Sequence, residues 1–218
     1  MTRTLTPSRK SDRMSDDRNA LDALLDEALV GHLGLSLDEG PLVLPISYAR
    51  DGDRLLFHGS TGSHRMRTIA AGAQVCFTVS VMDALKVSRT GEGTGMRYRS
   101  AVLFGACGLL ADEEKERALE VYLNRYLPGR TAEVRRATRR ELAATMVLEL
   151  PIDQWSLKSA GGFVSDDPDD VAAGGWAGVV PLRTVWETPI PNPDLGLGID
   201  VPASVLRLLE PQPSVSGS

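Results

Sequence analysis

The sequence predicts a mainly β protein of the α+β kind, an antiparallel barrel with peripheral helices. Three observations carry that prediction. Short apolar or alternating runs of roughly 6–10 residues recur between turn signals, the signature of half-buried strands. Asp51-Gly52-Asp53 sits between two such runs, and strands joined so tightly run antiparallel. The β-α-β-α rhythm of a parallel sheet is absent. With 218 residues, 42% hydrophobic and 24% charged, the chain can bury a core without disulfides or metals.

In chain order, residues 1–15 mix Ser, Thr, Arg and Asp without periodicity and are expected to form a mobile arm. Residues 16–188 form the folded domain, and 189–218 a Pro-rich tail. The first helix is expected to be capped by Ser15, with Asp16 and Asp17 at its positive end. Leu21, Leu24, Leu25, Ala28 and Leu29 give it one apolar stripe, and Gly31 stops it. Residues 32–37 alternate, Asp38-Glu39-Gly40 turns the chain, and 41–50 and 54–58 are the next strands. Ser63 opens a short helix through Met66, Ile69 and Ala70, closed by Gly72. The most β-prone stretch is 74–82, with 85–87 a further strand, 90–95 a Gly-rich loop and 100–110 a long apolar strand.

The middle turns helical. Residues 112–126 carry Leu119, Tyr122 and Leu123 at helical spacing with Asp112 as cap, and Pro128-Gly129 breaks the run. Residues 131–145 are expected to form a second, Arg-rich helix. Strands 146–150 and 154–158 flank Pro151, and 160–175 is a loop of Gly and Asp. A last strand, 178–185, lies between Trp176 and Trp186, and a short helical piece falls near 201–209.

Composition narrows the function. Lys+Arg is 24 against Asp+Glu 29, a net charge of −5, so a general nucleic-acid coat is disfavoured. No apolar run approaches the ~20 residues of a membrane span, and the first residues lack the apolar stretch of a secretory signal. The expectation is a soluble, cytoplasmic protein. Cys76 and Cys107 lie in apolar strands and read as reduced core thiols. The three histidines, His32, His58 and His64, follow no zinc-site spacing. Gly91-Glu92-Gly93-Thr94-Gly95 begins like a dinucleotide fingerprint, but Met96 takes the third glycine's place. Neither a P-loop nor a G-x-S-x-G elbow occurs. Glu133 and Glu141 interleave the arginines from Arg125 to Arg140, which reads as a solvated, ion-paired face. Asp166-Asp167-Pro168-Asp169-Asp170 reads as an exposed acidic loop.

The segment Phe57-His58-Gly59-Ser60-Thr61-Gly62-Ser63-His64-Arg65-Met66-Arg67 joins a strand end to a helix start through small residues. Unpaired N–H groups at a helix start attract anions. Ser60, Thr61 and Ser63 add hydroxyls, Arg65 and Arg67 add charge suited to phosphate, and Gly59 and Gly62 permit close approach. The alternative is a capped turn, with Ser63 as N-cap and the arginines solvated.

With that turn, three further stretches carry a family resemblance: Val43-Leu44-Pro45-Ile46-Ser47-Tyr48-Ala49, Tyr98-Arg99-Ser100-Ala101-Val102-Leu103-Phe104-Gly105 and Trp176-Ala177-Gly178-Val179-Val180-Pro181-Leu182. In their order over residues 21–182 they resemble the FMN-binding split-barrel family related to pyridoxamine 5′-phosphate oxidase, nearest its short bacterial branch with the nitroimidazole-resistance proteins. The resemblance implies an antiparallel FMN-binding split β-barrel, with the FMN phosphate on Ser63, His64 and Arg65. It implies the flavin ring lying along the backbone of Pro45, Ile46, Ser47 and Tyr48, with His58 and Gly59 beside it, and Ser60 and Thr61 belong to the cofactor-binding turn. Ser100 falls where relatives use a glutamine, and Trp176 is implied to reach the cofactor of a second subunit in a homodimer. His64 stands where the family has a stronger base, and the C-terminal residues that hold a substrate phosphate have no counterpart here. The implied activity is FMN-dependent hydride exchange at flavin N5 with a small flat substrate, His58 being the candidate catalytic group. The alternative is a non-catalytic flavin, haem or deazaflavin carrier or sensor.

Overall fold

The computed structural model describes residues 11–210. Its strands are β1 (Met14–Ser15), β2 (Gly31–Leu37), β3 (Gly40–Ile46), β4 (Ala49–Asp51), β5 (Arg54–Ser60), β6 (Gln74–Val87), β7 (Gly95–Ala106), β8 (Gly108–Leu109), β9 (Thr145–Pro151), β10 (Gln154–Ala160) and β11 (Gly178–Pro181). Its α-helices are α1 (Arg18–Glu27), α2 (His64–Ala70), α3 (Asp112–Tyr126), α4 (Arg139–Ala144), α5 (Pro168–Ala173) and α6 (Ala203–Leu206). All pairings are antiparallel. The larger sheet runs β1-β10-β7-β6-β2-β3, with β11 added to the far end of β6; the smaller runs β4-β5-β9-β8. The chain passes from the larger to the smaller sheet at Ser47-Tyr48 and at Cys107, and returns between β5 and β6 and between β9 and β10, so the two sheets share one core.

Leu33, Phe77, Ala101 and Leu103 fill that core from the larger sheet, and Leu55, Phe57, Leu148 and Leu150 from the smaller. The stripe Leu21, Leu24 and Leu25 of α1 closes it, each fully buried. Burying a side chain of this size stabilises by about 1.5–3 kcal/mol. A second, smaller cluster of Leu56, Leu110, Ala118 and Val147 lies under α3. Period-two alternation therefore decides orientation on β5: Leu55 and Phe57 face the main core, while Leu56 and His58 face α3.

Several elements depart from expectation, each for a local reason. Residues 1–10 of the expected arm lie outside the described residues, but Met14 and Ser15 pair with Lys158 and Leu157 as a short edge strand. Asp17, not Ser15, caps α1, accepting from the amides of Asn19 and Ala20 at 2.8 and 3.3 Å. That helix ends before Gly31, which begins β2 under the ring of Phe77; a Cβ there would sit 2.1 Å from Phe77 Cζ. The run 41–50 is two strands in different sheets, because the Tyr48 side chain turns into the core between them. The stretches 74–82 and 85–87 are one strand, β6, with a register shift between Met82 and Ala84 that absorbs Asp83. Ala111 rather than Asp112 precedes α3.

The Arg-rich helix 131–145 reduces to α4, since Thr138 starts it with a full capping box against Glu141. Three arginines of the stretch before α4 are ion-paired: Arg135 with Glu141 at 2.6 Å, Arg136 with Glu116 at 2.8 Å, and Arg130 with Glu133 at 3.3 Å. The loop 160–175 contains α5, and Asp166 is no loose acid. It accepts from Ser88 Oγ and from both the amide and the guanidinium of Arg89, clamping its loop onto the β6–β7 connection. The last strand stops at Pro181. Neither cysteine forms a disulfide among the described residues, and burial pushes the Cys107 thiol up to about 12. No helix among the described residues is long and apolar enough to cross a membrane.

Candidate functional site

The site begins where β5 ends. His58 projects toward α3 and meets Tyr122 edge-on, with ring centroids 4.3 Å apart and planes at 81°. Tyr122 packs in turn on Tyr126, at 5.2 Å. The Tyr122 hydroxyl donates to Ser47 Oγ, joining the crossover between sheets to the helix. One side of His58 remains open to solvent. Desolvation by the surrounding protein holds its imidazole below the ordinary value, so it is neutral near pH 7.

Tyr126 locks the floor of this groove. Its hydroxyl lies 2.9 Å from the Tyr48 amide, which donates to it, and 2.9 Å from the carbonyls of Leu29 and Tyr48. Arg125 reaches the Ala28 carbonyl at 3.2 Å, and its Nε is a buried donor with no partner among the described residues. Tyr48 itself is fully buried. Its hydroxyl lies 2.6 Å from the Leu25 carbonyl and 2.9 Å from that of Ala28, and burial raises its pKa. The Tyr48 side chain therefore has a structural role, which leaves the implied contact along the Pro45–Tyr48 backbone as an expectation. Ring, hydroxyl and amide are all spent on joining α1, β4 and α3.

Beyond β5, the turn is both a cap and an open donor site. Ser63 caps α2 by accepting from the Met66 amide at 3.3 Å, and Ser60 Oγ accepts from the Gly62 amide at 3.1 Å. Both hydroxyls act as acceptors in these bonds, so each keeps its hydrogen for another partner. Thr61 has no such freedom, since its amide and its hydroxyl both donate to the Ala144 carbonyl. Arg67 closes the turn onto the Thr61 carbonyl at 2.9 Å. Gly59 packs against Met66: a Cβ there would lie 2.9 Å from Met66 Cγ, so a side chain at this position would collide with the methionine. His64 and Arg65 are exposed, and neither side chain makes a hydrogen bond or ion pair among the described residues.

The remaining expected residues sit elsewhere. Ile46 packs against the core, while Pro45 faces outward opposite His32. Ser100 lies on the outward face of the larger sheet, between Ser80 and Lys158, three strands from β3 and roughly 14 Å away at ordinary strand spacing. Trp176 is exposed just before β11 and folds over Gly178. Within one chain, Tyr122 joins Ser47 to His58, and Ser60, Ser63, His64 and Arg65 follow from the end of β5 through its turn into α2, whereas Ser100 lies on β7 and Trp176 just before β11. Sequence reasoning missed Arg125, Tyr122 and Tyr126. Their signal was two tyrosines one helical turn apart beside an arginine, on a helix otherwise dense in charge. Among the described residues no three of His, Cys, Asp and Glu converge as a metal cluster.

Known proteins place this arrangement. Residues 17–159 match the family model described as pyridoxamine 5′-phosphate oxidase. A structure described as the FAD and heme binding protein from Mycobacterium smegmatis superposes with a TM-score of 0.88 at 44% identity, over 90% of this chain and 97% of that one. The flavocytochrome Anf3 from Azotobacter vinelandii does so with a TM-score of 0.86 at 29% identity, over 92% of this chain and 94% of that one. A candidate 5-nitroimidazole antibiotic resistance protein from Bacteroides thetaiotaomicron shares the fold, with a TM-score of 0.57 at 22% identity over 67% and 86% of the two chains. None of the curated proteins compared with the chain matches it. With more than half its length matched by the family model, and a split pair of antiparallel sheets flanked by helices, the chain belongs to the pyridoxamine 5′-phosphate oxidase family.

Proposed function

We propose that this protein is a flavin-binding redox protein, its flavin seated at the groove of Ser47, His58 and Tyr122 and its phosphate on the adjoining turn. The observation that carries this reading is Arg65. Its guanidinium has no partner among the described residues, whereas Arg67, two positions on, is bonded to the Thr61 carbonyl. Beside it stand two serine hydroxyls, Ser60 and Ser63, with hydrogens to donate. A cation and hydroxyl donors on a rigid turn suit a phosphate, and charge-assisted bonds of this kind are the strong ones. The donor set therefore fits the group.

When bound, the flavin would supply hydride exchange at N5 with a small flat substrate. The chain's own residues supply the rest. Ser60, Ser63 and Arg65 anchor the phosphate, with His64 beside them. Tyr122 fixes the His58 ring, and neutral His58 holds or passes a proton at a ring nitrogen. The flavin we assign is FAD. The relative named for FAD and haem, at 44% identity over nearly its whole length, favours it over the FMN that the motif resemblance implied. A second reading, that the same chain also takes up haem, is favoured by that relative's name and by His58. Its neutral, solvent-open imidazole would serve as a ligand to the haem iron.

The test is a titration of apoprotein with FAD and, separately, FMN, followed by flavin fluorescence in wild type and Arg65→Ala. Loss of one charge-assisted anchor, about 1.5–3 kcal/mol, predicts FAD affinity weakened roughly 10–100-fold in the variant. Equal affinity in both proteins removes the phosphate assignment, and tighter FMN than FAD restores the mononucleotide.

A further inference from the structure

The last described elements dock behind the helix that lines the groove. α6 and the 3₁₀ turn that follows it, Arg207–Leu209, lie against the connection between α3 and α4. Residues 182–201 before them lack helix and strand, and all but Pro189 are exposed, so the docked segment is held by its own contacts.

Those contacts are mainly polar. Ser204 is fully buried, and its amide and hydroxyl donate to the Glu133 carboxylate at 2.9 and 2.5 Å. Together they hold the Glu133 carboxyl below the usual carboxylate range. Arg207 donates to the Pro128 carbonyl at 2.7 Å, and its guanidinium fills the space beside Gly129, where a Cβ would lie 2.2 Å from Nη1. Gly129 stands at φ +87°, so backbone and space both require glycine there. Leu206 and Leu209 stay exposed. A segment with so few buried apolar contacts opens locally before the fold does. What holds it is charge-assisted hydrogen bonding to Glu133 and from Arg207.

From the same connection the contacts run into α3. Asn124 Oδ1 accepts from the Gly129 amide at 3.1 Å, and Asn124 Nδ2 donates to Thr131 Oγ1 at 3.0 Å. Arg130 pairs with Glu133 at 3.3 Å. Tyr122 and Tyr126 stand two residues either side of Asn124, within about 6 Å of helix axis. Tyr122 bonds Ser47 and meets the His58 ring, while Tyr126 holds the Tyr48 amide and carbonyl. One turn of α3 therefore joins the C-terminal segment, through Asn124, to the groove.

We infer that residues 202–209 are a latch on the groove. Docked through Glu133 and Pro128, they hold the last turn of α3 where Tyr122 meets His58; undocked, they release that turn, open the His58 side to water and weaken whatever the groove holds. Glu133 and Ser204 are thus positioning residues, acting through α3 without touching a ligand. The inference rests on the proposed site for its ligand alone, since the contacts it describes belong to the free chain.

Ser204→Pro in the full chain tests it, because proline removes the hydroxyl and the amide donor together and leaves the charge unchanged. Three quantities are compared with wild type: tryptic release of the peptide that begins at Leu208, the His58 midpoint of the free chain by NMR, and FAD affinity by flavin fluorescence. The latch predicts faster release of the peptide and a His58 midpoint moved upward toward 6.5, since water returns to the imidazole. A groove formed in about 0.1–0.3 of the chains loses roughly 3–10-fold in apparent FAD affinity. Peptide release at the wild-type rate overturns the latch. Faster release with His58 at its wild-type midpoint overturns it too, as does wild-type FAD affinity in a variant that has undocked. Should Ser204→Pro misfold, Glu133→Gln decides. Loss of that carboxylate by itself lowers a histidine's midpoint, so a rise reports the loosened helix, and a fall or no change overturns the latch. A wild type that takes up no FAD removes the cofactor reading instead, and trypsin and His58 then decide the latch on their own.

Discussion

Tyr48 shows how one residue can hold the fold together within a stretch that resembles a ligand-lining strand. It stands in the stretch that resembles a flavin-lining strand, yet it is the bolt between α1 and the smaller sheet. Tyr48→Phe leaves the Leu25 and Ala28 carbonyls without their shared donor and is expected to cost about 1–3 kcal/mol in urea unfolding. A stability within 0.5 kcal/mol of wild type, roughly the noise of a neutral surface change, contradicts the bolt. His58 makes a second prediction at this scale. Its lowered pKa means that the folded state binds fewer protons than the unfolded one, so its contribution to stability falls as pH drops through the unfolded value. An NMR titration should place its midpoint below 6.5, and Tyr122→Ala, which opens the ring to water, should move it upward. The phosphate turn was legible because Gly, Ser and Arg carry their chemistry locally. Tyr122 was not, since its partners Ser47 and His58 are 75 and 64 positions away and only folding brings them together.

At the scale of elements, the strands were legible wherever a turn signal bounded them and were misjudged where a side chain redirected the chain. Nothing in residues 41–50 announces that the chain changes sheets at Ser47, because no Gly, Asn or Asp turn signal falls within the run. The α1 stripe was plain in the sequence, whereas its cap was displaced by two residues to an aspartate that reaches two amides. Gly31 was read as a helix stop, but its real constraint lies across the core, in the ring of Phe77. Gly31→Ala would force that ring from its place against Tyr48 and Phe57, centroids at 4.9 and 5.3 Å. Overpacking of this kind predicts a loss of about 1–3 kcal/mol in thermal or chemical unfolding. The capping box of α4 predicts that Thr138→Ala costs about 1 kcal/mol, read in the same unfolding curves.

For the whole molecule, a net charge of −5 is distributed as networks rather than as patches. Arg99 joins Glu27 of α1 to Asp83 in β6, and Arg54 joins Asp51 to Glu149 across the smaller sheet. The guanidinium of Arg117, with that of Arg54, holds the Asp51 carboxyl below the usual carboxylate range, and Ser88 and Arg89 do the same for Asp166. Carboxylates depressed in the folded state contribute stability above their unfolded values and lose it as pH falls through the folded ones. Stability should therefore hold down to about pH 4 and fall below it, with a shallower fall in Asp51→Asn. The same molecular scale holds the central claim, that this family member is a flavoprotein. The most direct measurement is the visible spectrum of the purified protein, followed by heat release of its chromophore and determination of the released mass. A two-banded yellow spectrum with the mass of FAD, with or without an added haem band, is the predicted result. A colourless protein that also takes up neither FAD nor FMN when supplied with them would contradict it, and Ser63 would be left as nothing more than the cap of α2.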